Sequence, residues 1–124
     1  MDGILLINKP IGMTSRDVVN KLMKKFNTNK VGHTGTLDPF ASGLLIITIN
    51  KGTKISSFIE HLDKEYIAEL KLGAKTTTLD LEGEVIETKE VKLPLDKNEV
   101  INAMNSFLGE IEQIPPMYSA IKIN

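Results

Sequence analysis

The stretch KVGHTGTLDPFASGLLIITIN, residues 30–50, sets a loop broken by Gly, Thr and Pro directly before an apolar run. The run LLIITI, residues 44–49, contains six consecutive apolar or β-branched residues and predicts a central strand covered on both faces. The loop before it contains one histidine, His33, and one carboxylate, Asp38. This stretch therefore joins the predicted centre of the fold to a candidate functional loop.

The residues that precede this stretch predict a strand, a turn and a helix. Residues 3–8, GILLIN, are rich in branched apolar side chains and are closed by the turn sequence KPIG, so they predict a short buried strand. Residues 14–26 have apolar side chains at helical spacing, and Thr14 with Asp17 three positions on resembles a capping box. A helix is therefore expected directly after the first strand.

The residues that follow the apolar run predict helices and strands in a less regular order. The expected elements are a short helix at 52–62, a strand at 65–73, a loop over 74–83, a strand at 84–88, a helix at 95–109 and strand patterning over 111–123. This order predicts a mixed-sheet α+β or α/β domain. At 124 residues with 41% apolar composition, one compact unit is the default expectation.

The composition excludes several classes of site. The chain has no cysteine, which rules out disulfides, thiolate catalysis and cysteine-based zinc sites. Its two histidines and its carboxylates show no metal-ligand spacing, so no metal is expected. The apolar run near the N-terminus is too short for a signal peptide or a membrane span, which predicts a cytoplasmic protein without a membrane partner.

Charge is distributed unevenly along the chain. Residues 1–59 contain eight lysine and arginine residues against three aspartates, a net charge of +5, whereas residues 60–124 have a net charge of −6. Lysines on solvated helix faces would explain the excess in the first half. The alternative is a positive surface offered to a polyanion such as RNA, whose phosphates supply most non-specific affinity.

Asp38 allows two interpretations. Because Pro39 follows it, the Asp38 backbone is restricted to extended conformations, which would preorganise its carboxylate as a nucleophile or a base. However, Asp at the N-cap with Pro at the first helical position is also a standard way to start a helical turn, here DPFASG. Spacing alone leaves both interpretations open.

Other chemistries fit this loop poorly. The sequence contains neither G-x-x-x-x-G-K-[ST] nor G-x-G-x-x-G, the two usual glycine-rich motifs that bind nucleotide phosphates. The TGT of aspartyl-phosphate enzymes follows a nucleophilic aspartate, and Gly32 occupies that place here. Ser42 lacks the context of a nucleophile elbow, which argues against a serine hydrolase. GHTG satisfies the GxxG of a KH-type RNA-binding loop, but four characters are a weak signal.

Four segments taken together carry a stronger signal. In order, they are LLINKPIGMTSRDVV (5–19), VGHTGTLDPFASGLLIITINKGTK (31–54), YIAELKLGAKTTTLDLEGEV (66–85) and QIPPMYSAIK (113–122). In this order and at these separations they resemble the TruB family of tRNA pseudouridine synthases, of the bacterial stand-alone type. The resemblance covers essentially the whole chain.

The resemblance implies a fold and a reaction. The fold would be α+β, with a mixed, mainly antiparallel sheet flanked by helices, and residues 1–124 would form the N-terminal part of the catalytic domain. The reaction would be isomerisation of uridine 55 in the tRNA T-loop to pseudouridine, without a cofactor or a metal. The implied partner is the T-arm of tRNA, and a monomer is expected.

The resemblance also assigns roles to individual residues. Asp38 matches the catalytic aspartate, which attacks the ribose C1′ or removes a proton from C2′ to form a glycal. Tyr66 is expected to stack on the flipped base and to help move protons. The remaining expected contacts to RNA are His33, Gly35, Thr36, Lys9 and Lys54.

Two departures from the family pattern bear on activity. Thr77 occupies the first aspartate position of the T-D-T-x-D-x-x-G pattern, while Asp80 and Gly83 are retained. The later family segments are absent after residue 124, including an arginine that pairs with the catalytic aspartate and, in most bacterial members, a PUA domain. This 124-residue chain alone is therefore expected to be weak or inactive, and the alternative is an RNA-binding fragment or paralogue without turnover.

Overall fold

A computed structural model describes residues 1–117 of the chain. The chain divides into two compact units, Met1–Ile67 and a second unit that starts at Ala68, rather than the single unit expected from its length. A three-stranded antiparallel sheet and one long helix form the first unit, and a two-stranded sheet and a helix form the second.

The sheet of the first unit has its central strand where the sequence predicts it. Strand β1 spans Gly3–Lys9, β2 spans Val31–His33 and β3 spans Gly43–Ile49. Their order is β1-β3-β2, and β3 pairs antiparallel with both neighbours. The sequence does not predict β2, because three residues with a glycine in the middle carry no readable alternation.

Helix α1, Ser15–Lys25, covers one face of this sheet. The predicted capping box is confirmed: the Thr14 hydroxyl accepts from the Asp17 N–H at 3.0 Å, and the Asp17 carboxylate accepts from the Thr14 N–H at 2.9 Å. The fully buried apolar core lies between α1 and β3 and consists of Val18, Val19, Leu45, Ile47 and Ile49.

The opposite face of the sheet is largely open, which corrects the prediction that β3 is covered on both faces. Alternate residues of neighbouring strands share a face, and on this one Leu6 is 70% exposed and Leu44 61% exposed. Only Thr48 is buried there, with its hydroxyl 3.2 Å from the Ser56 hydroxyl. Helix α1 thus covers one face of the sheet, and the other face is exposed to solvent.

Strand β3 leads directly into helical structure, as the sequence predicts for this region. A 3₁₀ helix spans Asn50–Ile55 and continues into the short helix α2, Ser56–Ile59. The 3₁₀ helix packs tightly against β1: a Cβ on Gly52 would overlap the carbonyl oxygen of Gly3. Glycine at this position allows the two backbones to approach each other.

The second unit contains a hairpin and a capped helix. Strands β4, Ala74–Thr76, and β5, Val85–Thr88, pair antiparallel. The predicted loop over 74–83 therefore starts with a short strand, whereas the strand at 84–88 is confirmed. Helix α3 spans Lys97–Asn105, and the Asp96 carboxylate accepts from the Asn98 N–H at 2.9 Å.

Two predicted strands are not formed in the described residues. Residues 65–73 contain no regular secondary structure despite their alternation, and Ile67 is fully exposed. The pattern describes how a strand would distribute its side chains, but a strand also requires a hydrogen-bonded neighbour. Among residues 1–117, this segment belongs to neither sheet, and the cross-segment backbone bond it has is at its last residue, where the Gly73 carbonyl accepts from the Lys89 N–H at 2.8 Å. Residues 111–117 likewise form no strand, and the rest of that predicted strand lies outside the described residues.

The observed architecture is α+β. Every strand pair within residues 1–117 is antiparallel, and the helices lie outside the sheets. No helix in that part of the chain combines the length and hydropathy needed to cross a bilayer.

Candidate functional site

The loop that joins β2 to β3, residues 34–42, presents Asp38 at a tight turn. The Ala41 N–H donates to the Asp38 carbonyl oxygen at 3.0 Å, so residues 38–41 form a β-turn with Pro39 in its second position. Proline fits this position because its ring fixes φ near the value that the turn requires. The local sequence therefore fixes the shape of the loop at Asp38.

Ser15 of helix α1 holds the residue before Asp38. Its hydroxyl donates to the Leu37 carbonyl oxygen at 3.1 Å and accepts from the Leu37 N–H at 2.9 Å. Ser15 is only 3% exposed. Both backbone polar groups of Leu37 are therefore satisfied by one buried hydroxyl.

The β1–α1 turn holds the residue after Asp38. The Gly12 N–H donates to the Pro39 carbonyl oxygen at 2.7 Å, and the Lys9 ammonium group lies 3.5 Å from the same oxygen. Gly12 has a φ of +90°, which glycine adopts without strain. The backbone is thus held on both sides of Asp38 by residues from the first quarter of the chain.

Lys9 is a structural residue in this fold. It is fully buried, and its ammonium group also donates to the carbonyl oxygens of Pro10 at 2.9 Å and Met13 at 2.7 Å. These three contacts use the donors of the ammonium group, so none is free for a phosphate. The expectation that Lys9 contacts RNA is therefore corrected, because Lys9 is buried at the end of β1 and its ammonium group contacts the loop at Pro39.

The Asp38 carboxylate itself is exposed and accepts no hydrogen bond from any residue within 1–117. If it capped a helical turn, it would accept from the N–H of Phe40 or Ala41. The Ala41 N–H donates instead to the Asp38 backbone carbonyl. The capping interpretation is therefore wrong, and the carboxylate is available to a ligand.

His33, Gly35 and Thr36 lie on the same loop or at its start. His33 ends β2 opposite Ile47, and its buried Nδ1 has no hydrogen-bond partner among the described residues. Gly35 and Thr36 are exposed, and a Cβ on Gly35 would meet no atom within 4 Å. The space beside Gly35 is open, so packing does not require glycine at this position.

Lys54 and Tyr66 lie outside this loop. Lys54 is exposed on the 3₁₀ helix, at the end of β3 opposite the Asp38 turn, about 20 Å along the strand. It lines a shallow groove together with Lys30 and Lys51. Tyr66 is 68% exposed in the irregular segment after α2, so it does not have the strand position that the sequence predicts.

Neither Ser15 nor Gly12 has a sequence signal that marks it as part of this site. The Thr14-Ser15 pair carries only the signal of a helix start, and Gly12 that of a turn. The contacts of both residues with the loop span more than twenty positions of sequence, which no local pattern encodes. Within residues 1–117, no group of three or more histidine, aspartate or glutamate side chains could hold a metal ion.

Comparisons with known proteins agree on one family. The family model described as "TruB family pseudouridylate synthase (N terminal domain)" matches residues 23–124, which include Asp38. "tRNA pseudouridine synthase B" of Bacillus subtilis (strain 168) is 52% identical over all of this chain. The protein of the same name from Clostridium kluyveri is 54% identical over the same length.

The chain spans only 40% and 42% of the lengths of these two curated relatives. Among solved structures, "Crystal Structure of a Cbf5-Nop10-Gar1 Complex" is similar with a TM-score of 0.58 and 30% identity, over 97% of this chain and 31% of the other. "Structure of H/ACA RNP bound to a substrate RNA containing 2'-deoxyuridine" is similar with a TM-score of 0.56 and 26% identity, over 90% of this chain and 29% of the other.

Proposed function

Since this chain belongs to the TruB family of pseudouridylate synthases, we propose that it is the part of a tRNA pseudouridine synthase that carries the catalytic carboxylate. The observation that carries the proposal is the state of Asp38. Its carboxylate is exposed and accepts no hydrogen bond within residues 1–117, while its backbone is held by the hydrogen bonds of Leu37 and Pro39. Because its backbone is already held in place, such a carboxylate loses little conformational entropy when it contacts a ligand.

The proposed reaction exchanges one bond of the ribose C1′ for another. The C1′–N1 bond of uridine breaks and a C1′–C5 bond forms, while C5 loses a proton and N1 gains one. Asp38 attacks C1′ to form an ester that the returning uracil displaces, or it removes a proton from C2′ to give a glycal. The isomerisation involves no net oxidation or reduction, so its stoichiometry calls for no redox cofactor.

Access to the uridine requires that the base leave its stack. An exposed aromatic ring can compensate for the lost stacking by about 1–3 kcal/mol per base. We assign this role to Tyr66, which is 68% exposed. His33, Gly35 and Thr36 are assigned to the nucleotides around the flipped base, because they lie on the loop of Asp38 or directly before it and the space beside Gly35 is open.

The substrate is proposed to be the T-arm of tRNA, since the curated relatives are named as tRNA enzymes. Lys54 and its neighbours Lys30 and Lys51 would contact phosphates at the far end of the sheet. We further propose action as a monomer in the cytoplasm.

The decisive experiment compares Asp38→Asn with the unaltered complete protein that contains these residues. With T-arm stem-loop RNA as substrate and chemical mapping of pseudouridine as readout, we expect conversion to fall by at least about 1,000-fold. Thermal stability should hardly change, because the carboxylate makes no hydrogen bond in the described structure. Asp63→Asn, at an exposed carboxylate elsewhere in the first unit, is the matched control and should retain activity.

The 124-residue chain alone should convert this RNA weakly or not at all. Binding without conversion by both this chain and the complete protein would favour an RNA-binding protein over an enzyme. Conversion that survives Asp38→Asn would remove Asp38 from the mechanism.

A further inference from the structure

We propose that Ser15 is a positioning residue for Asp38: through its two hydrogen bonds to Leu37 it sets the direction in which the neighbouring carboxylate points. The inference rests on the proposed function of Asp38 but concerns a residue to which neither the sequence patterns nor the comparisons assign a role. Ser15 does not reach the substrate in this proposal. It acts on the reaction only through the loop.

The first argument is the chemistry of the contact. A hydroxyl can donate and accept at once, and Ser15 does both with one residue, at 3.1 Å to the carbonyl oxygen and 2.9 Å from the N–H of Leu37. These two bonds fix the peptide groups on both sides of Leu37. The second of these peptide groups bears the Asp38 nitrogen, so its orientation helps to set where the Asp38 side chain begins.

The second argument is the rigidity of the support. Ser15 is the first residue of α1, only 3% exposed, and α1 is anchored in the core by Val18 and Val19. The contact therefore ties the loop to a packed helix rather than to another loop. On its other side the loop is tied at Pro39 to Gly12 and Lys9. Removal of the Ser15 hydroxyl deletes both hydrogen bonds of the Leu37 backbone. The Leu37 side chain still packs against the core and Pro39 is still held, so the Leu37–Asp38 peptide group gains freedom to rotate between these two attachments.

The structure offers a matched control at the neighbouring position. Thr14 also carries a hydroxyl at the start of α1, but this hydroxyl accepts from Asp17 within the helix and does not contact the loop. Thr14→Ala therefore weakens the same helix without releasing Leu37. A comparison of Thr14→Ala with Ser15→Ala separates lost stability from lost positioning.

The experiment measures kcat and KM on T-arm stem-loop RNA for the complete protein and for these two variants. We expect Ser15→Ala to lower kcat by about 10- to 100-fold with KM changed less than about threefold, because the transition state depends on the carboxylate direction more than binding does. Thr14→Ala should lower the unfolding temperature but keep kcat within about twofold of the unaltered protein. If Ser15→Ala does not fold, Ser15→Cys, whose thiol is a weaker donor and acceptor, should fold and show a smaller loss of kcat.

An unchanged kcat in folded Ser15→Ala or Ser15→Cys would overturn the proposal, as would equal losses in Ser15→Ala and Thr14→Ala. A second readout does not depend on catalysis. Amide hydrogen exchange at Leu37 should accelerate in Ser15→Ala and not in Thr14→Ala. If the unaltered protein has no synthase activity, the proposed function fails, and the exchange data alone then decide whether Ser15 holds the loop.

Discussion

The aspartate carboxylates of this chain differ in the hydrogen bonds that they accept. The Asp17 carboxylate accepts a hydrogen bond from the Thr14 N–H. The Asp80 carboxylate accepts hydrogen bonds from the Thr78 hydroxyl and the Glu82 N–H. Asp38 has no such partner among the described residues. A carboxylate that accepts hydrogen bonds from neighbouring residues stabilises local structure, whereas a carboxylate without such bonds on a fixed loop can act on a ligand.

The bonded carboxylates predict a pH dependence of stability. The hydrogen bond that the Thr14 backbone N–H donates to Asp17, followed by the hydrogen bond with the Thr14 side chain, lowers the pKa of Asp17 below its ordinary value of 3.8. The Thr78 hydroxyl, followed by the Glu82 N–H, lowers the pKa of Asp80 in the same direction. Because both pKa values are lower in the folded state, the stabilisation is complete above the ordinary value and is lost as pH falls through the folded values.

Carboxyl NMR titration should therefore show both residues titrating below 3.8. In urea unfolding, the loss of stability at acid pH should be smaller in Asp17→Asn than in the unaltered chain. Titration of either carboxyl group above its ordinary pKa would contradict the hydrogen bonds described.

At the scale of elements, long-range pairing decides which patterned segments become strands. Residues 44–49 have the predicted central position because β1 and β2 pair with β3 on both sides. Residues 65–73 alternate as clearly, but among the described residues their pairing is limited to the Gly73 carbonyl, which accepts from the Lys89 N–H, and the segment remains irregular. Alternation is therefore a necessary but insufficient condition for a strand, since the backbone hydrogen bonds must come from another segment.

The contact between β1 and the 3₁₀ helix gives a prediction about packing. Gly52→Ala places a methyl group where the Gly3 carbonyl now lies, so the two backbones must separate. We expect urea unfolding to show a loss of about 1–3 kcal/mol. Gly35→Ala is the control, because a methyl group there meets no atom within 4 Å and should leave stability nearly unchanged. Equal stability of the two variants would show that β1 and the 3₁₀ helix do not approach closely.

At the scale of the whole molecule, the first unit leaves an apolar surface uncovered. We call this surface the open sheet face and define it by Ile4, Leu6 and Leu44, which are 42%, 70% and 61% exposed. Contiguous apolar surface of this kind is uncommon on isolated folded units. The chain spans only 40% of the length of its Bacillus subtilis relative.

The open sheet face predicts that the 124-residue chain binds the apolar dye ANS. Replacement of Leu6 and Leu44 by threonine should lower the dye fluorescence and leave the strands intact, because threonine suits an exposed strand position. Ile67→Thr is the control, since Ile67 is fully exposed but lies outside this face. Fluorescence that is insensitive to the Leu6 and Leu44 replacements would show that the dye does not bind at this face.

The local features of this protein follow from neighbouring residues in the sequence. Helix α1 and its capping box follow from side-chain spacing and the Thr14–Asp17 pair, and β3 follows from an apolar run bounded by turns. The restriction of Asp38 by Pro39 is likewise a property of neighbouring residues. The family resemblance added the proposed role of Asp38, which composition and spacing left open.

The residues that hold Asp38 are distant in sequence and come together through tertiary packing. Ser15 and Leu37 are 22 positions apart, Lys9 and Pro39 are 30 apart, and both pairs meet because α1 and β1 pack beside the loop. The same packing buries Lys9, which the sequence predicts as an RNA contact. These outcomes depend on free energies of burial and hydrogen bonding between distant segments, and a pattern of neighbouring residues does not contain them.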